Sequence, residues 1–464
     1  MLCKIKHSKL DKDKIILELI QRLDELTHRI EHLEKENIVL KELLKKYQHP
    51  KNSSNSSIPP SKDENRLPRT KSLRTKSDKK TGGQPNHDGN TLLMTETPDE
   101  IISLIPDFCN KCGASLTSQD SQDEEVRQVV DIPPIKAIYT EYRSFSKQCT
   151  CGCVTRSPFP IGVNSPVSYG SNIESLIGYY HARQYLPFAR MKEMFNDIFG
   201  LPISEGGIHY LLNRFAEKTK PVYEQIRQVV STSISIGADE TGAKINGDKA
   251  WFWTWQTPKS TFIVASDNRG FETIEANFKY GFPNSFLNHD CWKPHLKTKA
   301  KAHQICTSHL LRELEYLNEL YGYKWSEDFR KLLLDAIDLK KIMTRKDYHP
   351  DNQNVQQIIL RLDKLLEQNP WKKEHKKIIS FHARMIRLKD YVFPFLFFPE
   401  IPPDNNASER AIRNVKVKQK ISGQFKTILA AQNFAMIRSV IDTIIKNGQN
   451  ILSGLNLIAK FEFR

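Results

Sequence analysis

Residues 16–47 carry a heptad repeat, which restricts this part of the chain to a long helix. Two mainly apolar series recur at intervals of seven residues: Ile16, Leu23, Ile30, Asn37 and Leu44, and Leu19, Leu26, Leu33, Leu40 and Tyr47. Seams of this kind predict a parallel two-stranded coiled coil whose register is set by the single polar Asn37. The same pattern also fits one amphipathic helix packed on its own domain, and the sequence leaves both interpretations open.

The charge balance indicates a polyanionic partner. Lys and Arg number 69 against 54 Asp and Glu, a formal net charge of +15, which suits nucleic acid or an anionic membrane surface. No apolar run approaches the ~20 residues that span a bilayer, and the most apolar stretch, residues 391–401, is interrupted by Pro394 and Pro399. We therefore expect no membrane partner and a soluble cytoplasmic protein, in which paired cysteines are metal ligands rather than disulfides.

The region after the heptads is rich in Ser, Pro, Lys and Arg. Residues 49–90 contain almost no large apolar side chains, so they cannot bury a core and are predicted to form a basic, disordered linker. The linker would either lie along phosphates or be solvated.

Five of the eight cysteines fall within residues 101–160. Cys109 and Cys112 have the spacing of one zinc knuckle, and a second cluster of Cys149, Cys151 and Cys153 follows. Two such clusters predict a small structural zinc module. Cys149 and Cys151 would complete the site, with Cys153 as the alternative fourth ligand; the competing interpretation is a set of unrelated buried thiols.

Residues 171–231 have helical patterns. Helices are predicted over 172–185 and 188–199, and a third begins after the Gly200–Pro202 turn with Ser204 as its N-cap and runs to about Lys218. A helix, a glycine-containing turn and a second helix form the layout of a helix-turn-helix, and equally that of a plain helical hairpin.

From residue 233 the pattern changes to strands. Strands are predicted over 233–238, 249–257, 261–266, 285–288 and 302–306, with a helix over 271–280. Trp251, Trp253 and Trp255 alternate on one face of the second strand. Residues 307–391 and 404–447 are predicted to be largely helical. Three antiparallel strands followed by alternating helix and strand indicate an α/β domain.

Three carboxylates stand out by their positions. Asp239 is predicted at the end of the first strand, Asp290 at the end of the fourth, and Glu409 on a helix that begins near Asp404. Open α/β sheets place their active sites at strand ends, and clustered carboxylates bind hard divalent cations. Glu240 would point to the opposite face of its strand.

The order of motifs along the chain resembles that of transposases of the insertion sequence 66 family. The resemblance covers essentially the full length, and its motifs follow in the family's order: the leucine zipper, residues 52–61, residues 82–89, the cysteine module, Asp239-Glu240-Thr241, residues 303–309 and residues 404–413. Each motif alone is modest, but the ordered set is specific. Two departures are Asn288-His289-Asp290-Cys291-Trp292, where much of the family has a Gly- and Tyr-containing continuation, and the short Cys149-Thr150-Cys151 spacing.

The resemblance implies a DDE transposase with an RNase H-like core. The triad carried over from the family is Asp239, Asp290 and Glu409, which would bind two Mg²⁺ ions about 3.5–4 Å apart that serve an in-line phosphoryl displacement. It further implies terminal inverted repeats and target DNA as substrates, accessory proteins of the same element, and a bacterial, nucleoid-associated location.

The predicted fold class is multidomain, with an α/β RNase H-like catalytic core. The expected units are a coiled coil (10–48), a linker (49–100), a zinc module (101–160), a helix-turn-helix-like segment (165–231), a catalytic core (232–425) with a helical insertion (310–395), and C-terminal helices (426–464).

Several residues have two interpretations. Arg410 and Arg413 beside Glu409 would hold DNA phosphates or pair with carboxylates. Cys306 and His309 would bind metal or have a structural role at a helix start. Two rival functions share the binding features: a catalytically inactive DNA-binding regulator, and an RNase H-like nuclease that cleaves without joining.

The coiled-coil interpretation predicts that a segment of residues 1–50 forms a parallel dimer. Replacing the seam residue in Asn37→Val should raise the thermal unfolding temperature of this segment and permit higher oligomers, because the polar residue that specifies register and dimerisation is lost. Sedimentation measures the oligomeric state. A monomeric wild-type segment at about 10–100 μM would assign the heptads to packing within one chain.

Overall fold

A computed structural model describes residues 2–52, 55–56, 63–64, 92–120 and 125–461. The α-helices are α1 (Leu2–Gln48), α2 (Ser171–Ala182), α3 (Phe188–Phe199), α4 (Glu205–Ser231), α5 (Phe271–Asn277), α6 (Lys293–Lys297), α7 (Thr307–Tyr321), α8 (Lys324–Ile342), α9 (Gln353–Glu367), α10 (Lys376–Arg387), α11 (Asn406–Ser422), α12 (Ile428–Lys446) and α13 (Ile451–Ala459). The strands are β1 (Ser146–Gln148), β2 (Val154–Arg156), β3 (Ser235–Ile245), β4 (Asp248–Gln256), β5 (Thr261–Ser266), β6 (Phe282–His289) and β7 (Ala300–Ile305).

The centre of the molecule is a mixed five-stranded sheet. Its strand order is β5-β4-β3-β6-β7. The first three strands in the chain form an antiparallel meander, and β6 and β7 add to it in parallel. The expected α/β order of strands is confirmed.

The first strand is longer than predicted. It continues to Ile245 because β4 pairs with it along its length, from Gly237 opposite Gln256 to Ile245 opposite Asp248. The prediction that the strand ends at Asp239 is therefore wrong. Pairing between β3 and the parallel strand β6 does stop at Gly237, so Asp239 still lies just beyond the parallel part of the sheet.

One hydrophobic core joins the sheet to helices that precede it and follow it in the sequence. Side chains from α2, α3, α4 and α12 pack with the sheet, including Phe215, Phe252, Trp253, Phe262 and Phe434. The third predicted helix of this region, α4, begins after the Ser204 cap as expected, with the Ser204 side chain accepting a hydrogen bond from the Gly207 amide. It runs beyond Lys218 to Ser231 despite Pro221, because Ile226 and Val230 are buried in the same core.

A second hydrophobic core is formed mainly by the part of the chain between β7 and α11. It is built from α7 to α10 and the loops that follow, and includes Leu314, Phe329, Leu362, Phe381 and Phe395. Phe286 of β6 and Ile305 of β7 also belong to it, so helices α7 to α10 pack on the parallel edge of the sheet.

The helix α12 is 19 residues long and apolar enough to cross a membrane by length and composition, but 67% of this stretch is buried in the protein. The helix is not an uninterrupted apolar run, because it contains Arg438 and Asp442. Burial accounts for the composition of α12, because it packs against α4 and β5.

The N-terminal helix carries its apolar seams on the surface. Leu19, Leu26 and Leu33 are each 55% exposed. Its contact with the rest of the chain uses a different face near its end, where Tyr321 of α7 donates a 2.8 Å hydrogen bond to Glu42. The seams of α1 are thus not covered by the described part of the same chain.

The start of the predicted linker is ordered against α7. Asn55 is 1% exposed, and its side-chain amide donates to Glu319 of α7 over 2.6 Å. The amide of Asn52 donates to the Asn55 side chain over 2.8 Å, which closes a turn. The prediction of disorder is wrong for this turn; most of residues 53–91 lie outside the described residues.

The segment before α11 is tied to three other elements. Asn405 donates to the carbonyl of Ala238 in β3 over 2.7 Å, and Asn288 of β6 donates to the carbonyls of Pro402 and Asp404, each over 2.9 Å. Thr307, the first residue of α7, donates to the carbonyl of Pro403. These bonds fix the start of α11 over β3 and β6.

The close approach of the start of α11 to β3 requires glycine at position 237. A Cβ atom on Gly237 would lie 2.5 Å from Ser408 Oγ, 2.6 Å from Asn405 Oδ1 and 2.7 Å from Gln256 Nε2. Gly237→Ala should lower the free energy of unfolding by about 1–3 kcal/mol, because the packed polar groups must move apart. Chemical denaturation measures this change.

The matched control is Gly206→Ala in α4. Its added methyl group would approach only Ser204 Oγ, at 3.9 Å, and no loss of stability is expected. Equal stability of the Gly237→Ala protein and the wild type would contradict the close packing of α11 on β3.

Candidate active site and cysteine turns

Three carboxylates from distant parts of the sequence approach one another where α11 crosses the sheet. Asp239 lies in β3, Asp290 directly follows β6, and Glu409 lies in the first turn of α11. Burial raises the pKa of Asp239 well above its usual value, and the negative charges of Glu240, Asp290 and Glu409 raise it further. The predicted residues are therefore brought within electrostatic range of one another.

Asp290 is held by the turn that follows its strand. The Trp292 amide donates to Asp290 Oδ1 over 2.8 Å. The neighbouring His289 points into the interior, where its Nε2 lies 2.9 Å from Nδ1 of His303. This turn is fixed locally, as expected for a carboxylate at a parallel strand end.

Glu409 is held by side chains of α7. Arg312 Nη2 lies 3.3 Å from Glu409 Oε1, and His309 Nε2 lies 3.7 Å from the same oxygen. Burial lowers the pKa of His309, as does the charge of Arg312, which disfavours the charged imidazole. Arg312 is thus the positive partner of this carboxylate.

The donor set suits a hard divalent cation. Carboxylate oxygens are the ligands that Mg²⁺ and Mn²⁺ prefer, and a cation would offset the repulsion that raises the Asp239 pKa. Within residues 2–52, 92–120, 125–461 and the short described stretches between them, no three His, Cys, Asp or Glu side chains are close enough to hold a metal. Asp290 and Glu409 act on Asp239 through their charges at longer range, and Arg312 lies beside Glu409.

Glu240 lies on the opposite face of the sheet from Asp239, as its alternation in the strand predicts. Its side chain is 2% exposed, and it accepts hydrogen bonds from Arg269 and from His295, the latter at 3.0 Å. Burial alone would raise the Glu240 pKa, but its bonds to His295 and Arg269 outweigh burial and lower it. Glu240 is a buried ion-pair residue.

Sequence reasoning missed the partners of these carboxylates. Arg312 lies one turn after His309 on α7, so the two side chains share one face of the helix. His309 in the motif at 303–309 could therefore have indicated the face that lies toward the site. Arg269 lies in the loop after β5 with no local pattern to mark it. Cys306, considered as a metal ligand, instead accepts a hydrogen bond from the Asn405 amide over 3.1 Å.

The two arginines beside Glu409 are exposed. Arg410 and Arg413 both lie on the outer side of α11, and neither forms a salt bridge with a carboxylate in the part of the chain that the structure describes. Of their two interpretations, pairing with a described carboxylate is therefore not seen.

The cysteines form two similar turns. In the first, the Gly113 amide donates to the Cys109 carbonyl over 2.9 Å, and in the second the Gly152 amide donates to the Cys149 carbonyl over 2.8 Å. Both glycines have positive φ, +75° and +85°. The interpretation as buried thiols is wrong, because the cysteines at 112, 149, 151 and 153 are exposed.

The second turn is one residue shorter than the first. Cys112 and Cys151 each precede the positive-φ glycine, so Cys151 occupies the place in its turn that Cys112 occupies in the first. Hydrogen bonds from the backbone and thiol of Cys151 lower the pKa of Cys149, and those from Lys111 and Cys112 lower the pKa of Cys109. Lower thiol pKa values favour the thiolate that binds metal.

Two regions of the chain match known protein families. Residues 106–152 match the zinc-finger binding domain of transposase IS66, a span that includes both cysteine turns. Residues 166–433 match the Transposase IS66 family, a span that holds the sheet, the insertion and all three carboxylates. No curated protein matches the chain.

The family match covers more than half of the chain, and the zinc-finger domain precedes it in the order that the sequence motifs indicate. Transposases and their zinc-finger domains act on DNA, which agrees with the net charge of +15. The chain belongs to the Transposase IS66 family.

Proposed function

We propose that this transposase cuts the 3′ ends of its insertion sequence and joins them to target DNA by phosphoryl transfer at Asp239, Asp290 and Glu409. The proposal is supported by the hydrogen bonds that hold the start of α11 against β3 and β6, and by the negative charges of Asp290 and Glu409, which add to the effect of burial in raising the pKa of Asp239. A nearby cation would favour the charged form of Asp239. The rival functions, an inactive regulator and a nuclease that does not join, have no observation in their favour.

An RNase H-like core is the fold proposed for this site. Its support is the order of the sheet, in which an antiparallel meander of β3, β4 and β5 is extended in parallel by β6 and β7. Further support is the position of α11, which packs on β3 and β4 and brings its first turn to the carboxylates. The α7–α10 unit is then an insertion before the helix that carries Glu409.

The residues divide the chemistry between them. Two Mg²⁺ ions, when bound, would activate the attacking oxygen and stabilise the leaving oxygen of the displacement. Asp239, Asp290 and Glu409 would supply oxygen ligands to these ions. Water first attacks the phosphorus at the element end, and a 3′ hydroxyl leaves; that hydroxyl then attacks a phosphorus of target DNA. Each step forms one P–O bond as another breaks, so no enzyme nucleophile is required.

The exposed arginines would hold the DNA strand. Arg410 and Arg413 are exposed on the helix that carries Glu409, and this supports a role in binding the phosphates of the DNA strand. Arg312 remains beside Glu409, where its charge limits repulsion until cations bind.

Each of Asp239→Ala, Asp290→Ala and Glu409→Ala should reduce cleavage of labelled element ends by at least about 10²–10³-fold, because the developing charge loses its stabilisation. DNA binding, measured by gel retardation, should change little. Glu275→Ala, an exposed carboxylate on α5, is the control and should cleave normally.

The same assay separates the rival functions. Cleavage without strand joining would indicate a nuclease, and intact DNA binding with no Mg²⁺-dependent cleavage by the wild type would indicate a regulator. Near wild-type cleavage by Asp290→Ala would show that another carboxylate is the second ligand.

The family's zinc-finger domain supports a structural zinc, and we assign its ligands to Cys109, Cys112, Cys149 and Cys151. The support is the equivalence of the two turns, in which Cys112 and Cys151 hold matching positions. Cys153 follows the glycine and lies outside the matched domain. Zinc would join the two turns, because thiolates select this metal while carboxylates select Mg²⁺.

The purified chain should contain one zinc ion, and Cys151→Ser should lose it while Cys153→Ser retains it. Metal content is measured by mass spectrometry on protein prepared without chelator. The opposite result would identify Cys153 as the fourth ligand, and a wild-type protein without zinc would exclude the site.

The N-terminal helix is proposed to pair two transposase chains. Its support is the exposure of both apolar seams along α1 while the contact with α7 uses another face. A parallel dimer would bring two cores together in the cytoplasm and hold two terminal inverted repeats at once, with accessory proteins of the element as further partners.

A further inference from the structure

Arg269 lies between two tryptophans on the face of the sheet opposite α11. Its guanidinium carbon is 4.7 Å from the centre of the Trp251 ring and 4.0 Å from that of Trp292. Trp251 belongs to β4, and Trp292 belongs to the turn that follows β6. A guanidinium stacked between aromatic rings is attracted to both faces, so Arg269 joins two parts of the sheet that do not pair directly.

The same guanidinium forms a forked ion pair with Glu240. Arg269 Nε and Nη2 lie 3.1 Å and 2.8 Å from Glu240 Oε1, and the second carboxylate oxygen lies 3.0 Å from His295 Nε2. Because the Glu240 side chain is buried, breaking this pair would leave a buried charge without its partner. Glu240 directly follows Asp239, so the ion pair fixes the strand at the first proposed metal ligand.

Trp292, the second ring stacked on Arg269, lies in the turn that holds the second proposed metal ligand, Asp290. The Trp292 amide donates to Asp290 Oδ1 over 2.8 Å, so the position of the Trp292 ring and the orientation of the Asp290 carboxylate are linked within one turn. Arg269 therefore contacts the residue after Asp239 through Glu240, and the turn that holds Asp290 through Trp292.

We infer that Arg269 is a positioning residue. From the face of the sheet opposite α11, it sets the separation of Asp239 and Asp290. This inference rests on the proposed function, in which these two carboxylates share metal ions. The Arg269 guanidinium touches neither carboxylate and would touch neither DNA nor metal. It acts through Glu240 and Trp292, which connect β3 to the turn after β6.

The geometry explains why arginine is needed here. A lysine would keep the charge, but it has neither the planar fork that meets Glu240 with two nitrogens nor the flat surface that lies between two rings. Residues that orient metal ligands indirectly change metal affinity by about 10- to 100-fold when replaced. Arg269→Lys should therefore weaken metal binding by about this factor while the fold is retained.

The experiment measures Mn²⁺ binding by the zinc-loaded full-length protein, with free Mn²⁺ followed by electron paramagnetic resonance. Arg269→Lys should raise the Mn²⁺ dissociation constant by about 10- to 100-fold. Trp292→Leu should have an effect in the same direction because one wall of the stack is lost. Trp292→Phe should bind Mn²⁺ like the wild type, because an aromatic face remains and the Trp292 indole nitrogen has no hydrogen-bond partner among the described residues.

The control is Arg330→Lys on α8, which alters an exposed ion pair with Glu315 and should leave Mn²⁺ binding unchanged. Thermal unfolding of every variant shows whether the fold is retained. A merely structural role for Arg269 would lower the unfolding temperature without changing the Mn²⁺ dissociation constant of the folded protein, and that result would overturn the inference.

Asp239→Asn separates this inference from the proposed function. If Asp239→Asn binds Mn²⁺ like the wild type, the carboxylates are not the metal site and the proposed function fails with the inference. If Asp239→Asn loses binding while Arg269→Lys and Trp292→Leu do not, the metal site stands and the positioning role of Arg269 is wrong.

Discussion

The interaction on which the proposed site depends is the repulsion that the charges of Glu240, Asp290 and Glu409 exert on Asp239. Asp239 is partly buried, and both burial and neighbouring negative charges raise its pKa. A stable protein tolerates such a cluster where cations offset it. Here Arg312 lies beside Glu409, and Arg269 pairs with Glu240 on the far face. The two arginines thus pair with Glu409 and Glu240, and neither forms an ion pair with Asp239 or Asp290 in the described part of the chain.

The helices between β7 and α11 connect two regions of the protein. The first of them, α7, carries His309 and Arg312 near Glu409 at its start, and Tyr321 at its end donates a hydrogen bond to Glu42 of α1. One rigid helix of 15 residues therefore touches both the proposed catalytic site and the proposed dimerisation helix. The Asn55 turn adds a second contact to this helix through Glu319, so the position of α1 is set relative to the carboxylates rather than left to a free linker.

Local sequence patterns predicted the elements better than their limits and partners. The helix over 188–199, the strand alternation around Trp253 and the position of Asp290 after its strand follow from local periodicity and turn residues. The length of β3 does not, because its pairing with β4 carries the strand past Asp239. Arg269 and Arg312 gain their roles from contacts with residues far away in the chain, and no local pattern records such contacts. Glu240 is intermediate, since alternation predicted its face but not its ion pair.

The central claim is that Asp239, Asp290 and Glu409 share divalent cations. Anomalous scattering from crystals of the zinc-loaded protein soaked in Mn²⁺ tests it most directly, because manganese can be located independently of activity. The account predicts manganese between Asp239 and Asp290, with Glu409 turned toward it and away from Arg312. Manganese bound elsewhere, for instance at Glu240 and His295, with none between the two aspartates would contradict the account.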